Sequence, residues 1–310
     1  MNRKVFLKKI GLLGSVFLFP YKNTEAKPVN EITNPPKPLI AEWKNEDINI
    51  SLIGHSTVLI NFFGKIILTD PVLFKSIGLE FLGIVIGPAR YSDPALSIDE
   101  IPKPDLLLLS HTHLDHADYP TLRYIANKYP AQIDCLTAYN TMDVIQDLPW
   151  KSLAEIDWGE STIINDINIK ALKVRHFGWR FPWERDRSRG YFSNGRSFNA
   201  YIMERGSKKI LFGGDTAMTD EFKKSGESVD IAIMPIGAYN PWKMNHCSPE
   251  EALQMANDVK AKVFIPIHCN TFKQGMEPIE EPIARLKKEI LKYDMQLGIE
   301  QIGETYRNNG

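Results

Sequence analysis

Cysteine is scarce in this chain of 310 residues: Cys135, Cys247 and Cys269 are the only three, and no C-x-x-C spacing joins them. Three cysteines cannot all pair with one another, so the pattern argues against a disulfide framework and for buried or free thiols. Charge of one sign is missing as well. Thirty-seven Lys and Arg stand against 38 Asp and Glu, a formal net charge of -1, so there is no basic excess to draw the chain to nucleic acid. Nor is there a hydrophobic run long enough to span a bilayer, which takes about 20 residues; the apolar stretch Ile10 to Phe19 falls well short. No G-x-S-x-G elbow offers a serine nucleophile. With 43% hydrophobic and 24% charged residues the composition is that of a globular protein able to bury one large core or two small ones.

The first residues are of another kind. MNRKVFLKK is basic, IGLLGSVFLF is apolar, and Thr24-Glu25-Ala26 is a small-residue exit of the A-x-A type, the order found in secretory signals. NRKVFLK resembles a twin-arginine export motif with Lys4 in the place of the second arginine, and no cysteine stands near the exit to receive a lipid. The expectation is a signal peptide over 1–26 and a secreted or periplasmic protein; the plainer alternative is a buried N-terminal helix. Residues 27–45, rich in proline and polar groups, read as a linker or arm, and 46–310 as one catalytic domain.

From residue 48 short apolar runs alternate with turn signals and no short repeat is present. INISLIGHSTVLINFFGKIILTDP reads as paired strands turning at Phe63-Gly64-Lys65. Asp105 to Leu109, INIKALKV, AYIME, KKILFGGD, DIAIMP and AKVFIPIH are of strand length and composition. Tyr119 to Tyr129 and SPEEALQMANDV read as helices, the second opened by Ser248 as N-cap with Glu251 closing a capping box. The mixture implies a layered α/β protein.

What the chain does concentrate is histidine. SHTHLDHAD, residues 110–118, holds three of the seven histidines directly behind PDLLLLS. On a helix His111 and His113 would point about 200° apart. At the tip of a strand, residues two apart lie on one side, so His111, His113 and Asp115 can converge there, with His116 joining if the backbone turns at Ala-Asp-Tyr-Pro. Crowding so many titratable groups is costly unless a cation organises them. His176, Asp215 and His268 each close a predicted strand and extend the constellation.

These residues resemble the metallo-β-lactamase superfamily over roughly residues 48–275. The resemblance implies a four-layer αβ/βα sandwich with a dinuclear site at one edge. It puts His111, His113 and His176 on one metal and Asp115, His116 and His268 on the other, with Asp215 bridging. Two zinc ions suit five imidazoles and two carboxylates, and iron or manganese remain open. Hydrolysis by metal-activated water is the implied chemistry, Asp115 also being placed to orient the water. GPARYSDPALSIDEIPKPD, SHTHLDHADY, GGDT, PIGAYNP, HCSPEEA and IPIHCNTF resemble the branch containing N-acyl-phosphatidylethanolamine-hydrolysing phospholipase D, whose relatives include a sugar-phosphate lactonase. This implies a phospholipid or small anionic phosphodiester as substrate, with peripheral membrane contact. The chain departs from that branch at His268-Cys269-Asn270-Thr271-Phe272, where the phospholipase has His-Trp-Gly-Thr-Phe. The alternatives are a lactonase or another hydrolase of small anions, and a non-catalytic metal-stabilised binding protein.

Other residues surround that set. His246 matches the branch's additional active-site histidine, implying contact with the scissile phosphate or protonation of the leaving oxygen; otherwise it is a helix-entry histidine. His55 is expected to support the site from behind, and Asp70 to fix a ligand imidazole's tautomer or simply to form a turn. The segment Trp179 to Arg196 carries five arginines among aromatics; Trp179, Arg180 and Arg185 are candidates to hold an anionic headgroup, against the alternative of a solvated loop. IGLEFLGIVIGPA, 77–89, is expected to be buried, most simply as a helix, rather than to form a lipid-facing lip.

Overall fold

Strands buried on both faces explain most of the architecture. In the computed structural model, which describes residues 34–81, 84–188 and 193–308, the strands run β1 (Ile48–Gly54), β2 (Thr57–Phe62), β3 (Lys65–Thr69), β4 (Leu79–Phe81), β5 (Ile84–Ile86) and β6 (Leu106–Leu108). Helix α1 (Tyr119–Lys128) precedes β7 (Asp134–Ala138), β8 (Ser152–Ile156), β9 (Ser161–Ile164), β10 (Ile167–Lys173), β11 (Asn199–Arg205) and β12 (Lys208–Phe212). After α2 (Glu221–Lys224) come β13 (Ile231–Pro235), α3 (Pro249–Asp258), β14 (Val263–Ile267), α4 (Glu281–Glu289), β15 (Gln296–Leu297) and β16 (Thr305–Asn308). The expected signal peptide and the first part of the linker lie outside the described residues.

Two seven-stranded sheets form, in the orders β16-β1-β2-β3-β6-β7-β8 and β15-β14-β13-β12-β11-β10-β9. Each is antiparallel on one side and parallel on the other, changing at β3 and at β12. In the second sheet Tyr201, Met203, Ile210, Phe212, Ile231, Ile233 and Ile265 face the first sheet. Their neighbours Ala200, Ile202, Leu211, Ala232, Met234 and Phe264 face the opposite way, into a second core with Leu253, Ala256 and Leu286 from α3 and α4. Leu122 and Ile125 of α1 belong to the first core. Helix, sheet, sheet and helix therefore form the four-layer αβ/βα sandwich expected.

The helix starts agree with their local chemistry. Asp118 caps α1 through Thr121 N–H, and Ser248 caps α3 with the reciprocal Glu251 contact of a capping box. The first predicted strand pair is in fact three strands, because the chain breaks again at His55, whose φ of 55° ends β1. Residues 77–89 are not a helix. They enclose the β4–β5 hairpin, in which Leu79 and Ile86 are 38% and 65% exposed while Ile77 at its base is buried. The run has the apolar composition of a core segment, but Gly78 and Gly87 let the two arms meet: a Cβ on either would lie about 2 Å from the opposing backbone oxygen. Ser248→Ala should lower stability by about 1 kcal/mol, the usual value of an N-cap, as read from urea unfolding; a loss near zero would show that the box adds nothing to α3.

Candidate metal centre

Strand ends of both sheets deliver the site. β6 stops at Leu108, and the following residues leave the sheet: His116 and Ala117 both donate their N–H to His113 O, at 3.1 and 2.9 Å. It is this turn, rather than alternation along a strand, that sorts the side chains. His111 and His113 go to one group with His176 and Asp215, whereas Asp115 and His116 go to another with His55 and His268. His176 follows β10, Asp215 follows β12 and His268 follows β14. Gly214 permits the approach, with φ of 56° and a would-be Cβ only 2.7 Å from Ser110 Cβ. His55, Asp70 and His268 also hold positive φ, at 55°, 31° and 58°. Backbone strain of that kind gathers at functional sites.

Outer hydrogen bonds fix which nitrogen carries a proton in three of the rings, those of His111, His116 and His176. Asp70, wholly buried, accepts from Ser110 N–H at 2.7 Å, from Ser110 Oγ at 2.5 Å and from His116 Nδ1 at 2.7 Å. With its hydrogen given to Asp70, Ser110 Oγ can only accept from His111 Nδ1, 2.9 Å away. His176 Nδ1 donates to Asn245 O at 2.8 Å. The Nε2 atoms of His111 and His176 are thus left with lone pairs directed inward, whereas for His116 burial resists charge but Asp215, Asp115 and Asp70 outweigh it and raise the ring well above the usual imidazole range. His111 Nε2 lies 2.8 Å and His176 Nε2 3.2 Å from His113 Nδ1. Three converging imidazole nitrogens with at most one proton among them suit a cation, not one another.

Asp215 makes the same point. Both its oxygens are buried without a hydrogen bond, and Oδ2 lies 3.1 Å from His116 Nε2, 3.2 Å from His268 Nε2, 3.7 Å from His246 Nδ1 and 3.8 Å from His176 Nε2. One carboxylate oxygen stands between the two groups. Asp115 Oδ2 lies 3.4 Å from both His116 Nε2 and His268 Nε2, and 3.1 Å from His55 Nε2. His55 therefore touches a candidate ligand directly, as a residue supporting the site from behind would. Burial lowers His113 to about 4 and His55, His176 and His246 to about 3, keeping those rings neutral. His268 behaves oppositely: burial resists its charge, but Asp215 and Asp115 outweigh that and raise it to about 9. Asp215, for all its burial, is held well below the carboxylate range by His116 and His268. The pair of buried carboxylates calls for positive charge, which bound metal would supply in place of protons.

The arginines of the 179–196 segment have other employment than an anion. Arg180 Nη1 donates to Thr112 O at 2.7 Å and Ala117 O at 2.9 Å, clasping the ligand turn from both ends. Arg187 grips Asp157 with two 2.9 Å bonds above the Trp158 ring, and Arg196 joins Glu184 to Asp143. The expected headgroup-binding loop is corrected in that respect, since internal carboxylates and carbonyls already satisfy these three guanidinium groups. Arg185 is exposed, while Arg189, Tyr191 and Phe192 lie outside the described residues. Trp179 lies beside the site, 4.8 Å from the Phe177 ring and 6.2 Å from His113. Sequence reasoning missed Ser110, Asn245 and Gln274, polar residues whose importance lies only in what they touch.

A histidine–aspartate centre at the edge of a four-layer αβ/βα sandwich defines a metal-binding protein of metallo-β-lactamase type. The family model described as "Beta-lactamase superfamily domain" matches residues 65–269, and the chain belongs to that superfamily. It is 30% identical over 244 residues to an uncharacterised protein of Mycobacterium tuberculosis, covering 76% of this chain and 62% of that one. The chain thus spans less than two-thirds of the mycobacterial relative. It is 31% identical over 250 residues to N-acyl-phosphatidylethanolamine-hydrolyzing phospholipase D 1 of Caenorhabditis elegans, covering 76% of this chain and 68% of that one. The metallo-beta-lactamase fold protein YhfI of Bacillus subtilis superposes with a TM-score of 0.56 at 15% identity, over 84% of this chain and 100% of that one, a likeness of fold.

Asp70→Asn should weaken metal binding by roughly 10–100-fold, because His116 loses the acceptor that sets its tautomer. Zinc titration against a chelator would measure it; unchanged affinity would remove Asp70 from the site's support.

Proposed function

We propose that the chain is a dinuclear, zinc-dependent hydrolase that cleaves phosphodiesters, of phospholipase D type, acting on N-acyl-phosphatidylethanolamine-like phospholipids. The observation that carries the dinuclear reading is Asp215 Oδ2, set between the nitrogens of His116 and His268 on one side and of His176 on the other. His111, His113 and His176 would hold one ion, Asp115, His116 and His268 the other, and Asp215 both. Bound there, the ions supply Lewis acidity toward the substrate's oxygen and an activated water at neutral pH. The donor set of imidazoles and carboxylates fits zinc.

The chain's own groups have distinct tasks in this reading. Asp115, at the rim of the second group, orients the attacking water. His246 precedes α3 with its Nδ1 3.7 Å from Asp215 Oδ2, near enough to contact the scissile phosphate. Its ring, neutral through burial, serves as a hydrogen-bond donor to the departing oxygen. Phe177 and Trp179 supply an apolar wall beside His113. The phospholipid class is supported by the resemblance to the C. elegans enzyme. Peripheral membrane contact through Trp242 and Met244, 51% and 65% exposed on the loop that carries His246, accords with it. Among the described residues no helix is long and apolar enough to cross a membrane.

The purified full chain should carry close to two zinc ions and hydrolyse both bis(p-nitrophenyl) phosphate and an N-acylated phosphatidylethanolamine. Asp215→Ala should abolish activity and metal retention together. His246→Ala should keep its metal yet lose roughly a hundredfold in kcat on the lipid. Its loss on the p-nitrophenyl ester should be smaller, since that leaving group needs little assistance. Equal losses would leave His246 a positioning role only. Metal without turnover of phosphodiesters would favour the binding-protein reading, and turnover of lactones alone the lactonase. We also propose that the protein is exported to the periplasm or beyond and loses residues 1–26 on the way. Intact-mass analysis of periplasmic material should find a chain starting near Lys27; a full-length cytoplasmic product would rule this out.

A further inference from the structure

The segment after β14 runs back across the metal centre as a strap. Met276 N–H donates to Asn240 O at 2.7 Å and Asn240 N–H to Glu277 Oε2 at 3.2 Å, tying the strap to the loop that leads to His246. Just before these ties lies Gln274, half-buried, with Nε2 2.6 Å from Asp115 Oδ2. An ionised carboxylate only accepts hydrogen bonds, so the amide nitrogen has to be the atom facing it. Its backbone carbonyl in turn accepts from Trp242 Nε1 at 3.2 Å. Trp242 is itself a junction, its own carbonyl accepting from Asn245 N–H at 2.8 Å and from His246 N–H at 3.0 Å. Asn245 O is the acceptor that orients His176. A continuous set of hydrogen bonds thus runs from Asp115, in one ligand group, to His176, in the other.

We infer that Gln274 is a positioning residue for Asp115: with His55 it holds the carboxylate by one oxygen, and through Trp242 it keeps Asp115 in register with the loop of His246 and His176. The argument is geometric. Asp115 lies within the turn of residues 114–116, outside any strand, and the surrounding imidazoles are spaced at 3.1 to 3.4 Å against the 2.6 Å of the amide. A charge-assisted bond of that length is the tightest constraint on the group. The inference rests on the metal-centre reading but not on any substrate.

Zinc affinities of the full-length chain, measured by chelator competition, test it. Gln274→Glu keeps the side chain's shape but sets an oxygen against Asp115, and should weaken one of the two ions by roughly 10–100-fold while sparing the other. Gln274→Met, which lacks the donor without adding charge, should lose about tenfold, the low end of that range. Trp242→Phe, keeping an aromatic side chain while removing the indole N–H, should shift the same ion in the same direction by less. A role in packing alone predicts the reverse order, with the near-isosteric Glu variant closest to the unaltered chain. If both Gln274 variants bind two ions as tightly as the unaltered chain, the assignment is wrong. If Gln274→Glu fails to fold, Gln274→Met decides by the same criterion. An unaltered chain that binds no zinc would overturn the metal-centre reading and this role with it.

Discussion

A carboxylate buried with neither oxygen hydrogen-bonded is expensive, and Asp215 is such a group. Everything near it responds to that cost. His116 and His268 aim Nε2 at its Oδ2, and their affinity for protons rises accordingly. The remaining rings are held neutral by burial and present lone pairs to the same space. A cation satisfies both halves of that arrangement at once, the negative oxygen and the unprotonated nitrogens, which is why the site reads as a metal centre from its own geometry.

Such a centre needs rigid supports, and the sandwich provides them in two ranks. The inner rank is Asp70 at the end of β3, which through Ser110 and His116 orients imidazoles on the neighbouring β6 turn. The outer rank is the set of loops: Arg180 closes the ends of the ligand turn, Asn245 holds His176, and Thr271 Oγ1 accepts from His55 N–H at 2.7 Å. Because β3 and β12 are the strands where each sheet changes from antiparallel to parallel, residues leaving them meet at one edge. Ligands gather at comparable switch points in open α/β sheets.

The arginine-rich segment illustrates how charge misleads when read along the chain. Arg180, Arg187 and Arg196 look like an anion-binding set in a local window. Asp157 and Asp143, which neutralise Arg187 and Arg196, stand 30 and 53 positions away, and the carbonyls serving Arg180 belong to the metal turn. The exposed apolar surface near the site, Trp242 and Met244, comes instead from a segment of unremarkable composition, and the hairpin that exposes Leu79 and Ile86 comes from a run that read as core.

The sequence alone determined the layered α/β class, the helix starts at Tyr119 and Ser248, and the histidine cluster at 111–116, because apolar period, capping chemistry and the density of histidine in H-x-H-x-D-H are local properties. It also placed Asp70 correctly beside a ligand imidazole. Tertiary structure alone decided the rest. His55 reaches Asp115 from 60 positions away. Gln274 does so from 159 positions away. Contacts of that separation leave no periodic trace in the chain, since they are set by which strand ends the two sheets bring to a common edge.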